Sequence, residues 1–284
     1  MLSDYQQTLL LLTGINVLLG WSAWLPLATG QLSLGNAGFM AVGAYLASLL
    51  SVQQHWPLTL ALVAGALASG VLGVMVGFPA LRLHGIYLAL ATLGFGEIVR
   101  TFFLNFEPTG GPMGMRGMGG TTLGMVWAWV GAVGLGLFTL CHSRLGLSFD
   151  AIHDDEVAAE LTGLDVTAVK VGAFGAGAAL AGLGGGLYAH HILFIEPSTF
   201  NFLESITMVL FVLLGGMRTF WGTVIGSVIF TILPDLLRFL HDWRGAFFGA
   251  LLVALLIVRP SGLLPRETLR LPVRVLAGSR GKGR

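Results

Sequence analysis

Long runs of apolar residues, separated by short polar connections, constrain the fold of this chain more than any other feature. A helix needs about 20 apolar residues to cross the roughly 30 Å hydrocarbon core of a bilayer. The runs are continuous rather than alternating, and backbone groups in lipid must be satisfied internally, so helices are favoured over a barrel. The runs lie near residues 8–27, 31–52, 58–78, 85–104, 123–141, 167–192, 202–215, 219–237 and 245–258.

The expected fold is therefore an all-α, polytopic integral membrane protein with about 8–9 hydrophobic helices. Composition agrees, because 55% of the residues are hydrophobic and only 10% are charged, whereas soluble domains are about one quarter charged. Cys141 is the single cysteine, which excludes an internal disulfide and any cysteine cluster for a metal or an iron–sulfur centre. The first run follows polar residues and lacks a clear small-residue cleavage site, so we expect a retained helix.

The last three runs are short, and glycine or proline interrupts them. We therefore expect some of these helices to be broken or re-entrant. If all nine runs cross the membrane, the amino terminus lies outside, whereas a re-entrant run over 30–52 would place it inside. Both arrangements are compatible with the sequence. The interruptions are Gly215, Gly216, Gly222, Gly226 and Pro234.

Basic residues predict which face of the membrane is cytoplasmic, because short cytoplasmic connections are enriched in Lys and Arg. Arg82, Arg144 with Lys170, Arg218, and the residues from Arg259 onward fall on one face when the runs are taken in turn. The resulting division is a transmembrane domain over 1–258, with a cytoplasmic loop at 143–170, and a basic cytoplasmic tail over 259–284.

The tail carries seven Arg or Lys residues against the single acid Glu267. Next to a membrane helix, such a tail is typical of an orientation signal or of contact with anionic lipid, so we expect no nucleic-acid partner.

The loop at 143–170 is too polar to cross the membrane, yet it is patterned like a short helix. We expect about three helical turns that start near Asp150 and end at Gly163, a natural helix stop. Ala158 and Ala159 provide small contacts that could insert into a partner's groove. An amphipathic connector lying on the lipid headgroups is the alternative. The acidic residues placed in the first turns are Asp154, Asp155 and Glu156.

The spacing Ala158-Ala159-x-x-x-Gly163 resembles the cytoplasmic coupling loop of ABC importer permeases, whose short helix docks onto the ATPase. The match is partial, because Val157 stands where that loop has a glutamate, and Glu156 lies one position earlier. The resemblance assigns ATPase coupling to Asp150, Asp154, Asp155, Glu156, Ala158, Ala159 and Gly163.

Four further stretches, together with this loop, resemble the branched-chain amino acid ABC transporter permeases of the LivM-like kind, from about Gly30 to Gly262. They are GQLSLGNAGFMAVGAY (30–45), LHGIYLALATLGFGEIVR (83–100), TGGP (109–112) and AGLGGGLY (181–188). The resemblance implies a heterodimer with a second, LivH-like permease, two cytoplasmic ATP-binding subunits and an extracytoplasmic substrate-binding protein, in a bacterial-type cytoplasmic membrane.

Neutral polar residues within apolar segments are candidates for a substrate path. Gln31, Ser33 and Asn36 offer hydrogen-bonding groups beside glycines that permit close helix approach. Hydrogen bonding that holds neighbouring helices together explains each of these residues equally well. Thr92 and Glu97 complete the candidate path. Glu97 also lies three residues before Arg100, a spacing that favours an ion pair on one helix face.

The function implied is that of a permease subunit that moves branched-chain or related amino acids by alternating access. The chain lacks a phosphate-binding loop and a recognisable catalytic pair, so we expect no enzyme activity, cofactor or metal, with ATP hydrolysed by separate subunits. The adjacent His190 and His191 point in different directions on a helix, which disfavours a metal site. The alternative is an ion-coupled secondary transporter or channel for a small polar solute such as urea or an amide, with Glu97 or Asp235 as the coupling carboxylate.

Overall fold

The computed structural model describes residues 3–83, 85–236, 249 and 262–263, and it confirms the all-α membrane architecture. The apolar helices are α1 (Asp4–Ala28), α2 (Asn36–Val52), α3 (Leu58–Ala80), α4 (Ile86–Asn105), α5 (Leu123–Cys141), α8 (Val166–Ile192), α9 (Phe202–Gly215) and α10 (Phe220–Leu236). Two short polar helices, α6 (Arg144–Asp154) and α7 (Glu156–Leu161), form the loop between α5 and α8. The strands β1 (Met115–Arg116) and β2 (Phe194–Ile195) pair antiparallel.

Five helices, α1, α3, α4, α5 and α8, are long and apolar enough to cross a membrane. The pair α9 and α10 passes the same test as one span but is bent by 118° at its break, which raises the number to six among the described residues. The predicted run at 245–258 lies outside the described residues except for residue 249.

Helix α8 forms the centre of the bundle and packs against α1, α2 and α3. Close approach depends on glycine: a Cβ atom on Gly43 of α2 would collide with the backbone of Gly182, and one on Gly185 would collide with Met40. The structure thus confirms that the glycines of the 30–45 segment permit close helix packing. Helix α5 lies at the periphery, against α1 and α6.

The two ends of the bundle differ in what they carry. The end that carries α6 and α7, here called the loop end, also contains Ala28 at the end of α1 and Arg218 in the turn between α9 and α10. The β1–β2 pair and the contact from Gln53 to the Pro108 carbonyl lie at the opposite end. Because α1 runs for 25 residues to the loop end, its first residue, Asp4, lies at the opposite end.

Helix α2 is too short to cross alone, but the chain before it is unwound and adds length. Gln31 donates from Nε2 to the Lys170 carbonyl at the loop end, at 3.2 Å, and α2 ends at Val52, beside the residues of the opposite end. Segment 30–52 therefore traverses the bundle and is not re-entrant.

The helix break occurs at Gly215 and Gly216, as expected, whereas Gly222, Gly226 and Pro234 lie within α10 and do not interrupt it. Helix α9 starts inside the bundle, where Ser205 Oγ accepts a hydrogen bond from the Ala37 amide at 2.9 Å. It runs to the loop end and stops at Gly216, whose φ of 117° suits glycine. Helix α10 then returns, and Asn16 of α1 donates to Thr231 Oγ1 at 2.9 Å.

Candidate functional site

The loop between α5 and α8 consists of two short helices joined at Asp155. Ser143 caps α6 by accepting from the Leu145 amide at 3.2 Å. Asp155 is extended, with φ of −156°, which ends α6, and its Oδ1 accepts from the Ala158 amide at 3.0 Å to start α7. The prediction of one helix starting near Asp150 is therefore wrong. Ser143 is the true cap, and the side chain of Asp155 divides the segment.

The predicted end of the loop helix is confirmed. Gly163 follows α7 with φ of 87°, a left-handed conformation that glycine adopts without strain. The chain then turns into α8, where Asp165 Oδ1 caps the first turn by accepting from the Ala168 amide at 2.9 Å.

The loop has one face turned to its own bundle and one face turned outward. Ile152 and Ala159 are buried with Val166 in a small apolar cluster. The expectation that Ala159 belongs to an outward contact face therefore needs correction, because only 3% of this residue is exposed. The outward apolar residues of α7 are Val157 and Leu161, which are 67% and 85% exposed, with the exposed Ala158 between them.

Ion pairs tie the two loop helices to different parts of the bundle. Asp154 at the end of α6 accepts from Arg218 Nη2 at 2.9 Å, which attaches α6 to the turn between α9 and α10. Glu156 at the start of α7 pairs with Lys170 of α8, and the Lys170 side chain is only 11% exposed. The loop acids thus anchor the loop, which the sequence pattern did not reveal, because Arg218 and Lys170 were identified only as orientation signals.

The candidate path residues of the unwound segment mostly hold that segment in place. Gln31 Nε2 donates to Thr29 Oγ1 and to the Lys170 carbonyl, and Thr92 Oγ1 accepts from the Leu34 amide at 2.9 Å. Ser33 Oγ accepts from the Gly35 amide at 3.3 Å. The contacts to Leu34 and Gly35 satisfy backbone amides that the missing helical turns leave open, and the Gln31 contacts tie the segment to α8.

Asn36 differs from these residues because it is 3% exposed and its Nδ2 has no hydrogen-bond partner in the structure. It begins α2, next to Ala37, which lines a small groove between α4 and the start of α9. Glu97, Asn201 and Ser205 line the same groove. The structure therefore brings Glu97 close to the start of α2, at the depth where α9 begins.

The predicted ion pair between Glu97 and Arg100 is confirmed, with Arg100 Nη1 at 3.0 Å from Glu97 Oε2. The two side chains are 43% and 34% exposed, respectively, within a helix that is long and apolar enough to span the membrane. Charges at that depth are costly against lipid and usually face a bundle interior or a water-filled path. This part of α4 is therefore poorly suited to contact with lipid.

His190 has hydrogen-bond partners within the bundle. Its Nε2 lies 2.7 Å from Ser51 Oγ, and its Nδ1 lies 2.8 Å from the Gly186 carbonyl. Among the described residues, no group of three or more His, Cys, Asp and Glu side chains could hold a metal ion.

The described residues thus form a multi-pass helical bundle with an unwound, hydrogen-bonded entry to one helix, a broken helix pair and an anchored polar loop. The model of the family described as branched-chain amino acid transport system / permease component matches residues 6–258. The chain therefore belongs to this permease family.

Curated relatives agree with that membership. The chain is 34% identical to the high-affinity branched-chain amino acid transport system permease protein LivM of Salmonella typhimurium and 33% identical to LivM of Escherichia coli, each over 89% of this chain and 66% of the relative. The chain thus spans slightly less than two thirds of the length of these LivM relatives. It is also 28% identical to the L-arabinose ABC transporter permease protein AraH of Azospirillum brasilense, over 76% of this chain and 67% of that protein. No solved structure matches.

Proposed function

We propose that this chain is the membrane-spanning permease subunit of an ATP-driven importer that moves branched-chain or related amino acids by alternating access. The observation that carries the proposal is the anchored loop. Its outward face presents Val157, Ala158 and Leu161, and its inner side is attached to two different parts of the bundle. A partner that binds this face can therefore displace the α9–α10 turn and α8 together.

The partners that act on this loop are two cytoplasmic ATP-binding subunits. Leu161 is an apolar side chain that is 85% exposed on a polar loop. Burial of this side chain against a partner removes it from water and so contributes favourable binding free energy. The ion pairs to Arg218 and Lys170 then transmit the displacement to the α9–α10 turn and to α8. The chain itself performs no bond chemistry in this scheme.

The loop end is the cytoplasmic end under this proposal. Arg144, Lys170 and Arg218 lie there, in agreement with the positive-inside tendency. Leu263 also lies there, because its amide donates to the Leu214 carbonyl at 3.1 Å. The division into a transmembrane domain over 1–258 and a cytoplasmic tail over 259–284 is part of this proposal, and the tail lies outside the described residues except for residues 262 and 263. The amino terminus is then outside.

The groove between α4 and α9 is the proposed substrate path, and a second, LivH-like permease covers it. This arrangement removes Glu97 and Arg100 from lipid, and it leaves Asn36 Nδ2 near a path for a zwitterion. An extracytoplasmic binding protein delivers the substrate at the opposite end. AraH is named as the permease protein of an L-arabinose ABC transporter, so a ligand screen of the binding protein is the way to define the substrate.

Transport by the reconstituted complex tests this proposal against the ion-coupled alternative. The chain and its partner subunits are placed in proteoliposomes, and uptake of radiolabelled leucine is measured with ATP, with a non-hydrolysable analogue, and with imposed proton or sodium gradients. We expect uptake with ATP and the binding protein only. Gradient-driven uptake without ATP, abolished by Glu97→Gln, would instead support a secondary transporter.

A further inference from the structure

A cavity of about 420 Å³ lies at the loop end, where the loop meets the bundle. Its walls come from the ends of α1 and α5, from α6 and from the turn between α9 and α10. The volume falls within the range of about 300–1,000 Å³ that holds small molecules. The proposed ATPase contacts on α7 and the groove residues near Asn36 do not line it, whereas the ion pair of Asp154 with Arg218 does, and the proposed function gives the cavity itself no role.

One side of the cavity is aromatic. Trp24, Phe149, Phe220 and Trp221 line it. Trp24 is held in place, since its Nε1 donates to the Met217 carbonyl at 2.9 Å and its ring lies 6.2 Å from that of Phe220. A fixed aromatic surface accepts an aliphatic or aromatic side chain without first having to be ordered.

The wall of the cavity also carries groups of both charges. Arg218 offers a guanidinium, which binds carboxylates through two parallel hydrogen bonds, and one of its nitrogens, Nη2, contacts Asp154. Asp150 adds a carboxylate that attracts an ammonium group. His153 also lines the cavity, and its Nδ1 is buried without a hydrogen-bond partner in the structure. A buried polar atom without a partner is costly and is stabilised by a ligand that bonds to it.

An aromatic side together with a cation and an acid matches one chemical class: a zwitterion joined to an apolar group. We propose that the cavity is a second binding site, open from the loop end, for a free apolar amino acid. The α-carboxylate lies against Arg218, the α-ammonium lies against Asp150 and His153, and the side chain lies against the aromatic residues.

Occupancy of the cavity has a consequence for the loop. A ligand that contacts both α6 and the α9–α10 turn holds these elements together, and it therefore opposes any motion that separates them. The chemistry of the cavity alone supports the binding site, independently of the proposed function. Inhibition of import by amino acid accumulated on the cytoplasmic side additionally rests on the proposed function.

Direct binding tests the site without any need for transport. The full chain is placed in phosphatidylglycerol nanodiscs, and binding of tritiated leucine is measured by scintillation proximity. Leucinol lacks the carboxylate, N-acetyl-leucine lacks the ammonium and glycine lacks the side chain, so each should compete at least about tenfold less well than leucine. Phosphatidylethanolamine carries the same pair of charges, and displacement of leucine by nanodiscs of this lipid would assign the cavity to lipid and overturn the proposal.

Matched variants separate ligand contact from the ion pair. Arg218→Gln should weaken leucine binding at least about tenfold, because it removes the carboxylate partner. Asp154 also lines the cavity, but Asp154→Asn keeps the guanidinium that binds the carboxylate, so it should weaken leucine binding much less than Arg218→Gln. Arg144→Gln removes an exposed charge from the same helix and serves as the control.

An equal loss of leucine binding in Arg218→Gln and Asp154→Asn would overturn the proposal, as would binding that only Asn36→Ala removes, since that result places the ligand in the groove. Failure of ATP-driven uptake with intact leucine binding would count against the proposed function and leave this site standing.

Discussion

The centre of the bundle around α8 and the loop formed by α6 and α7 are built on opposite principles. In the centre, glycines bring backbones into contact, and a Cβ atom added at Gly43, Gly182 or Gly185 would collide with a neighbouring helix. In the loop, ion pairs hold two short helices and leave apolar side chains outside. The difference indicates that the centre supplies stability, whereas the loop leaves exposed the apolar surface that we propose for a partner.

The largest expected effect is on stability, from enlarging a glycine at the centre. Gly43→Val should destabilise the folded chain by about 3 kcal/mol or more, because the new side chain collides with Gly182 of α8. A lowered apparent melting temperature in detergent, with reduced yield of monodisperse protein, is the expected result. Gly136 of peripheral α5 has nothing near its missing Cβ, so Gly136→Val is the control. An equal drop in melting temperature in both variants would contradict the claim that close packing at the centre, and not at the periphery, stabilises the fold.

A large effect on partner binding is expected from a charge on the outward face of α7. Leu161→Asp should abolish co-purification of the ATP-binding subunits while the melting temperature stays within about 2 °C of the parent, since exposed substitutions cost little stability. Met113→Asp provides the matched control, because Met113 is 84% exposed on the loop after α4 at the opposite end. Retained co-purification in Leu161→Asp would show that partners bind elsewhere.

A smaller loss of stability is expected when either anchoring ion pair is broken, and the loss should differ between the two pairs. Glu156→Gln leaves the nearly buried Lys170 ammonium without its partner and should cost about 1 kcal/mol. Asp154→Asn breaks a pair whose side chains are 53% and 61% exposed and should cost about 0.5 kcal/mol or less. Thermal melts of both variants at low and high salt check this order. The double variant Glu156→Lys with Lys170→Glu should recover part of the loss if the pairing itself matters.

The sequence predicted the elements of the centre well, because long apolar runs with glycine at contact positions have few folded solutions in lipid. The break between α9 and α10 was also predictable, since Gly215 and Gly216 interrupt the run. The pair Glu97–Arg100 followed from spacing on one helix. These features are local, and local patterns determine them.

The loop was predicted less well, because its form depends on contacts that are distant in sequence. Asp155 caps α7 and so ends α6, whereas the acidic run at 154–156 suggested one uninterrupted helix start. The partner of Asp154 is Arg218, 64 positions away, and no periodicity links them. Ala159 was assigned to an outward face, yet it packs against Ile152 and Val166, a cluster that exists only once α7 folds back on α6.

The most direct test measures ATP-dependent leucine uptake by proteoliposomes that contain the full complex with Leu161→Asp, beside the parent and Leu161→Met, which keeps an apolar side chain at the same position. We expect Leu161→Asp to insert and fold normally but to transport at background level, whereas Leu161→Met transports close to the parental rate. ATP-dependent uptake at the parental rate in Leu161→Asp would contradict the claim that the loop delivers the driving motion to the bundle.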